Sequence, residues 1–130
     1  MLTFRNVFAV ALFLFGTTFL WLTPAFLGDK QAAVTGAIWT VVQVGAILVI
    51  VGFAAGAWGV FKETSWWQPI TIVSALVGLI VLIPYWIGGS FLGVANLWTN
   101  LALHALGSVA VLVVLLVPLA HDWLLGRIAR

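Results

Sequence analysis

Four apolar stretches make up most of this sequence, and each is long enough to cross a lipid bilayer. They run over residues 6–26, 34–61, 69–88 and 97–125. About 20 residues suffice, because an α-helix rises 1.5 Å per residue and the hydrocarbon core is about 30 Å thick. Hydrophobic residues are 65% of the chain and charged residues 6%, with a mean hydropathy of +1.27. We therefore predict that lipid is the solvent.

The connections between the stretches are short and rich in turn-forming residues. They fall at residues 28–30, 62–65 and 88–93. Short connections make successive helices antiparallel neighbours. The predicted fold class is all-α, an integral membrane four-helix bundle of up-down-up-down topology, in a single transmembrane domain over residues 1–130. We read the first stretch as a span, since its apolar run exceeds the roughly 7–15 residues of a signal peptide.

Helix ends are predicted from capping residues and prolines. Ser65 and Gln68 have the spacing of a capping box, so the third helix is expected to start near Ser65. Pro84 and Pro118 lie inside apolar runs. Each removes a backbone hydrogen bond, which predicts a kink or an early helix end at both.

The positive charges predict the orientation. With the N-terminus inside, Arg5, Lys62, Arg127 and Arg130 are cytoplasmic, and Lys30 alone is outside. Both termini are therefore predicted to face the cytoplasm, in a multi-pass protein of the cell (plasma) membrane.

Tryptophan is unusually frequent, with eight residues in the chain. Indole rings favour the headgroup level of a bilayer, so tryptophans near span ends indicate an aromatic belt. Seven fit that position: Trp21, Trp58, Trp66, Trp67, Trp86, Trp98 and Trp123. Trp39, about a turn inside the second helix, fits it least well.

A polar stripe follows the fourth helix. Asn96, Asn100, His104 and Ser108 recur at steps of four, which places them on one side of an α-helix. Polar groups avoid lipid, so the stripe is expected to face the bundle or a partner protein. His104 is the one ionisable side chain well inside a span. It fits a haem or metal ligand, a proton relay, or a hydrogen-bond donor to a quinone or lipid headgroup. A structural histidine that fixes helix register is favoured, because no carboxylate or second histidine lies well inside a span.

Polar residues of the other helices extend this candidate site. Gln43 and Thr40 of the second helix lie at a depth where they could meet Asn100 and His104, beneath Tyr85 and Trp86. Thr17 and Thr18 are expected to bond their own backbone carbonyls. The candidate ligand-binding set is His104, Asn100, Gln43, Thr40, Ser108, Asn96 and Tyr85.

Small residues on the second and third helices predict close helix packing. In the second helix Gly45, Gly52, Gly56 and Gly59 share one face, and Gly52 and Gly56 form a GxxxG pair. In the third, Ser74 and Gly78 repeat the small-xxx-small spacing and are the expected partners. Packing within the chain is favoured over dimerisation, which stays open.

Several functions lack the residues that they need. Cysteine is absent, which excludes disulfides and thiolate metal ligands. Asp29, Glu63 and Asp122 sit in loops or at the rims of the spans, which argues against a small proton-coupled exporter that uses a glutamate in its first span. No basic cluster indicates nucleic acid, and no catalytic motif or metal-ligand set is present.

The sequence leaves two main hypotheses of function. The first is a non-enzymatic accessory or structural subunit that packs within or beside a larger membrane complex, with lipid and other membrane subunits, or a second copy, as partners. The alternative is a binding or transport protein for a small apolar or neutral ligand such as a lipid, quinone or haem, held by the stripe. No cofactor is required, although haem or a quinone would fit, and the sequence does not identify the ligand. A membrane enzyme built on His104 is a third option.

Overall fold

The computed structural model describes residues 3–26 and 36–129. They form five α-helices: α1 (Phe4–Thr17), α2 (Ala37–Phe61), α3 (Trp67–Leu92), α4 (Leu97–Leu116) and α5 (Pro118–Ile128). Four segments are long and apolar enough to cross a membrane, the first being α1 with its continuation to Leu22. No strand occurs in the described ranges. The predicted all-α membrane bundle is confirmed.

Some predictions fall outside the described residues. These are the turn at residues 28–30 with Lys30 and Asp29, the start of the second span at residues 34 and 35, and Arg130.

The first span changes helix type before it ends. α1 is capped by Thr3, whose hydroxyl oxygen accepts from the Asn6 N–H. At its other end a 3₁₀ helix runs over Thr18–Leu22. The Thr17 hydroxyl donates to the Leu14 carbonyl at 2.7 Å, and the Thr18 hydroxyl donates to the Phe15 carbonyl. The expected bonds of both threonines to their own backbone are confirmed, and they lie where α-helix gives way to 3₁₀ helix.

The glycines of α2 lie against α3. The pairs are Gly45 with Val81, Gly52 with Ser74, Gly56 with Thr71 and Gly59 with Trp67. A Cβ at Gly52 would overlap the Ser74 hydroxyl oxygen, so the absence of a side chain permits the close approach of the two helices. The order of the pairs is antiparallel, as the short connection between α2 and α3 requires.

Gly78 is not part of this seam, the contact between the α2 glycines and α3. A Cβ there would lie 2.9 Å from the Phe19 ring and 3.2 Å from the Ser108 hydroxyl oxygen. The expected pairing of Gly78 with the α2 glycines is therefore wrong, because Gly78 faces away from α2 toward the first and fourth spans.

The start and middle of α3 differ from expectation. The helix begins at Trp67 with no side-chain cap. Gln68 Oε1 lies 2.8 Å from His121 Nε2 instead, so the tertiary contact replaces the capping box. The helix also continues through Pro84 to Leu92, and an early end at Pro84 is wrong. Membrane helices tolerate proline where neighbouring elements satisfy or enclose the freed carbonyl.

The fourth span ends at Leu116 rather than at residue 125. Val117 is extended, with ψ 120°, and Pro118 occupies the first turn of α5. The early helix end predicted at Pro118 is confirmed. α5 packs across the end of the bundle, with Trp123 edge-on to Phe4 at 5.8 Å.

The same end of the bundle holds most of the described charges. Arg5 of α1 forms an ion pair with Glu63, which follows α2. The Lys62 ammonium lies 5.0 Å from the centre of the Trp58 ring, and the Arg127 guanidinium lies 5.2 Å from that of Trp123. Cations and indole rings at one level are typical of a membrane–water interface.

Candidate functional site

His104 joins the first and fourth spans. Its side chain is 1% exposed. Nδ1 lies 2.7 Å from the Asn100 carbonyl oxygen, one turn earlier in α4. Nε2 lies 3.0 Å from the Thr18 carbonyl oxygen. Thr18 is the residue at which the first span becomes a 3₁₀ helix. The histidine therefore contacts the first span where α-helix gives way to 3₁₀ helix.

Both ring nitrogens of His104 therefore face carbonyl oxygens. A neutral imidazole has one N–H and donates to one of them, and only the protonated ring donates to both. Axial ligation of a haem iron needs a free ring nitrogen, and it would displace one of these contacts. Phe19 lies edge-on to the imidazole at 4.7 Å and Trp21 at 6.3 Å. The enclosure favours a structural role for His104.

Asn100 extends the polar cluster to the third span. Its Nδ2 lies 3.1 Å from the Tyr85 phenol oxygen. Tyr85 is fully buried and packs edge-on against Trp39 at 6.2 Å. The contacts from Thr18 through His104 and Asn100 to Tyr85 thus connect three spans. Trp86, the other expected roof residue, is exposed.

The two ends of the stripe have different surroundings. Ser108 is fully buried, and its hydroxyl oxygen has no hydrogen-bond partner among the described residues. Asn96 is exposed, at the position that precedes α4, and its side chain makes no capping bond. The stripe therefore runs from a closed, tightly packed end at Ser108 to an open end at Asn96.

Gln43 and Thr40 lie away from this cluster. Both side chains are exposed. The expectation that they approach His104 is wrong, because α2 turns its glycine face to α3 and carries Gln43 on the roughly opposite side. In the described ranges neither forms a side-chain hydrogen bond.

A cleft opens at the Asn96 end of the stripe, between the 3₁₀ segments of the first span and α4. Its volume is about 430 Å³, and an adjoining space of about 80 Å³ reaches Tyr85. The residues that line the larger part are Trp21, Phe26, Asn96, Thr99, Asn100 and Leu103.

Sequence reasoning found Asn96, Asn100 and Tyr85 of this cleft but missed its other walls. Trp21 was assigned to the aromatic belt, and Thr99 lies off the stripe. The 3₁₀ segments that bring Trp21 and Phe26 over α4 have no clear mark in the sequence. The threonine pair before them is the nearest indication.

Within the described residues, His104 has neither a metal-binding group nor a charged side chain beside it. No group of three or more His, Cys, Asp or Glu side chains that could hold a metal occurs in the part of the chain that the structure describes. The nearest charged residues to the polar cluster in that part lie at the far, charged end of the bundle.

The fold and the buried polar cluster define a class: a multi-pass α-helical membrane protein whose spans are joined by hydrogen bonds. No family model matches the chain, and neither the curated proteins nor the solved structures include a significant match to it.

Proposed function

We propose that this chain is a non-enzymatic accessory subunit of a larger membrane assembly, and that the outer face of α2 binds a helix of the partner. The observation that carries the proposal is Gln43. Its amide is exposed on the surface of a membrane span and has no hydrogen-bond partner among the described residues.

The depth of Gln43 makes this exposure costly. It lies six residues from the start of α2 at Ala37, or about 9 Å along the helix axis. About 27 Å of helix follow before Phe61. An amide at that depth lies within the hydrocarbon of a bilayer about 30 Å thick, where water cannot satisfy it. A partner helix with a polar side chain at the same level would do so.

The surface around Gln43 fits a helix. Thr40 lies one turn away and is also exposed, so two polar groups share the face. Further along the same face, Ile47 is exposed. An apolar groove of about 470 Å³ between α1 and α2 then continues past Ala54 and Trp58. Polar groups at one level with apolar surface below them are typical of helix–helix contacts in membranes.

The remaining features agree with a structural role. Both ring nitrogens of His104 face backbone carbonyl oxygens, and the residue is buried, so its contacts are with the bundle itself. We further propose the orientation that the charges predict, with both termini cytoplasmic and the protein in the plasma membrane. Arg5 and Lys62 lie at one end of the bundle, which supports an excess of positive residues on the cytoplasmic side.

A site-specific photo-crosslinker tests the proposal. Placed at Ile47 in the protein expressed in its own host membrane, it is expected to give one defined adduct with another membrane protein. Gln43→Leu should reduce that adduct about threefold, because the partner loses a hydrogen bond of about 0.6 kcal/mol. Gel mobility measures the amount of the adduct, and mass spectrometry identifies the crosslinked protein.

Two controls make the result specific. The crosslinker at Leu106, which is 70% exposed on α4, should give lipid adducts only. Thr99→Val, which removes an exposed polar group from a different helix, should leave the Ile47 adduct unchanged. Lipid adducts alone from Ile47 would refute the proposal. An adduct between two copies of this chain would replace it with self-association.

A further inference from the structure

The cleft at the Asn96 end of the stripe contains polar groups that the fold does not use. Asn96 and Thr99 are exposed, and in the described ranges their side chains form no hydrogen bond. Asn100, Tyr85 and His104, by contrast, have polar partners within the bundle. The unpaired groups line one concave surface instead.

The Tyr85–Asn100 pair also leaves a donor free. If Asn100 Nδ2 donates to the phenol oxygen, the Tyr85 O–H is left over. If the amide is turned and the phenol donates to it, the Asn100 N–H groups are left over. The space of about 80 Å³ between these residues and Trp21 reaches Tyr85. Asn100 Nδ2 carries two N–H groups, so in either orientation at least one N–H of this partly buried amide is left over beside the space, and an oxygen acceptor on a ligand would satisfy it.

The walls of the cleft set the character of the ligand. Trp21, Phe26 and Leu103 supply apolar and aromatic surface, and no charged side chain is among the described residues that line it. A volume of about 430 Å³ lies within the roughly 300–1,000 Å³ of small-molecule sites. Flat or slender neutral groups fit such walls, whereas an ion would lack a partner of opposite charge.

We infer that this cleft binds a neutral amphiphile through a carbonyl oxygen. The carbonyl accepts from the Tyr85–Asn100 pair, Asn96 and Thr99 hold a second polar group, and the apolar body lies against Trp21 and Leu103. Two sources supply this chemistry in a membrane: the ring carbonyls of a quinone and the ester carbonyls of a neutral lipid.

Binding to the full chain in detergent micelles tests the inference. The probes are a decyl-substituted benzoquinone and a short-chain diacylglycerol, each titrated while the melting temperature and tryptophan fluorescence are recorded. Saturable binding of at least one probe is expected. Tyr85→Phe should weaken it about tenfold, because Asn100 loses the phenol that orients its amide toward the ligand.

Exposed variants keep the test valid if Tyr85→Phe does not fold. Asn96→Leu and Thr99→Val break no bond within the described chain, and each is expected to weaken binding severalfold. Gln43→Leu, an equivalent amide change on α2, should leave binding unchanged. Quinone binding alone or diacylglycerol binding alone supports the inference and identifies the source. The absence of saturable binding for both, or binding that these cleft variants leave unchanged, would overturn it.

Discussion

His104 illustrates how one residue joins parts of the chain that are far apart in sequence. Its contact with the Thr18 carbonyl spans 86 residues, whereas its contact with Asn100 is local to α4. Because both partners of His104 are backbone carbonyls, its contacts depend on where the two spans lie and not on the identity of another side chain. The register of α4 against the first span is therefore sensitive to this one side chain.

Replacing His104 should destabilise the bundle moderately. His104→Leu is expected to lower the free energy of unfolding in detergent by about 1–2 kcal/mol, since membrane hydrogen bonds average about 0.6 kcal/mol and seldom exceed 2. His104→Asn should cost less. Leu106→Ala, at a lipid-exposed position of the same helix, is the control and should change it by less than about 0.5 kcal/mol. Equal melting temperatures for His104→Leu and the wild type would argue against a stabilising contact between His104 and the Thr18 carbonyl.

The sequence predicted the polar residues better than their neighbours. Steps of four place Asn100, His104 and Ser108 on one side of α4 whatever surrounds it, because helix geometry alone decides this. The partner of His104 is a backbone carbonyl, which has no residue type and leaves no trace in composition. Gln43 does not approach His104 as expected, because depth in the membrane can be read from residue number, whereas the neighbour of each helix face cannot.

At the scale of elements, the seam between α2 and α3 depends on residues without side chains. Four glycines of α2 lie where side chains of α3 would otherwise collide with a Cβ. Because lipid is as apolar as the helix surface, association of the two helices depends on such shape fit. The seam also explains why the opposite face of α2 is left exposed.

Enlarging a seam glycine should therefore destabilise the protein. Gly52→Ile forces the branched side chain against Ser74 and is expected to cost about 1–3 kcal/mol, which would appear as a lower melting temperature in detergent. Gly56→Ile, facing Thr71, should behave alike. Gly126→Ile is the matched control, since a Cβ there meets nothing within 4 Å. If all three variants melted alike, the seam would not be under packing constraint.

Of the two prolines at which a kink or an early helix end was expected, Pro118 marks a helix end and Pro84 does not. Pro118 ends α4 because the chain then turns and packs across the bundle end, where Leu124 is buried. Pro84 lies between two buried residues of α3, Leu82 and Tyr85, so the helix is packed in the bundle before and after the proline. The missing backbone bond is the same at both sites, so tertiary contacts decide between continuation and an end.

For the whole molecule, the charge bias leads to a test of topology. Reporter fusions at Lys30 and Lys62 are expected to give opposite signals, with Lys62 inside, because Arg5 and Lys62 share one end and positive residues are retained in the cytoplasm. Alkaline phosphatase and fluorescent protein activities measure the two sides. The same signal at both positions would contradict a membrane crossing by α2.

The unequal lengths of the spans have a consequence for the surrounding lipid. α2 has 25 residues and α3 has 26, which gives about 38 Å of helix for each. α4, with 20 residues, gives about 30 Å. The first span reaches a similar 31 Å or so only because a 3₁₀ helix rises about 2.0 Å per residue. The long pair accommodates the difference by tilting or by extending into the headgroup layer, while the short pair matches the hydrocarbon core. The protein thus presents two helix lengths to the bilayer, and a neighbour that covers the longer side would shield the ends that extend beyond the core.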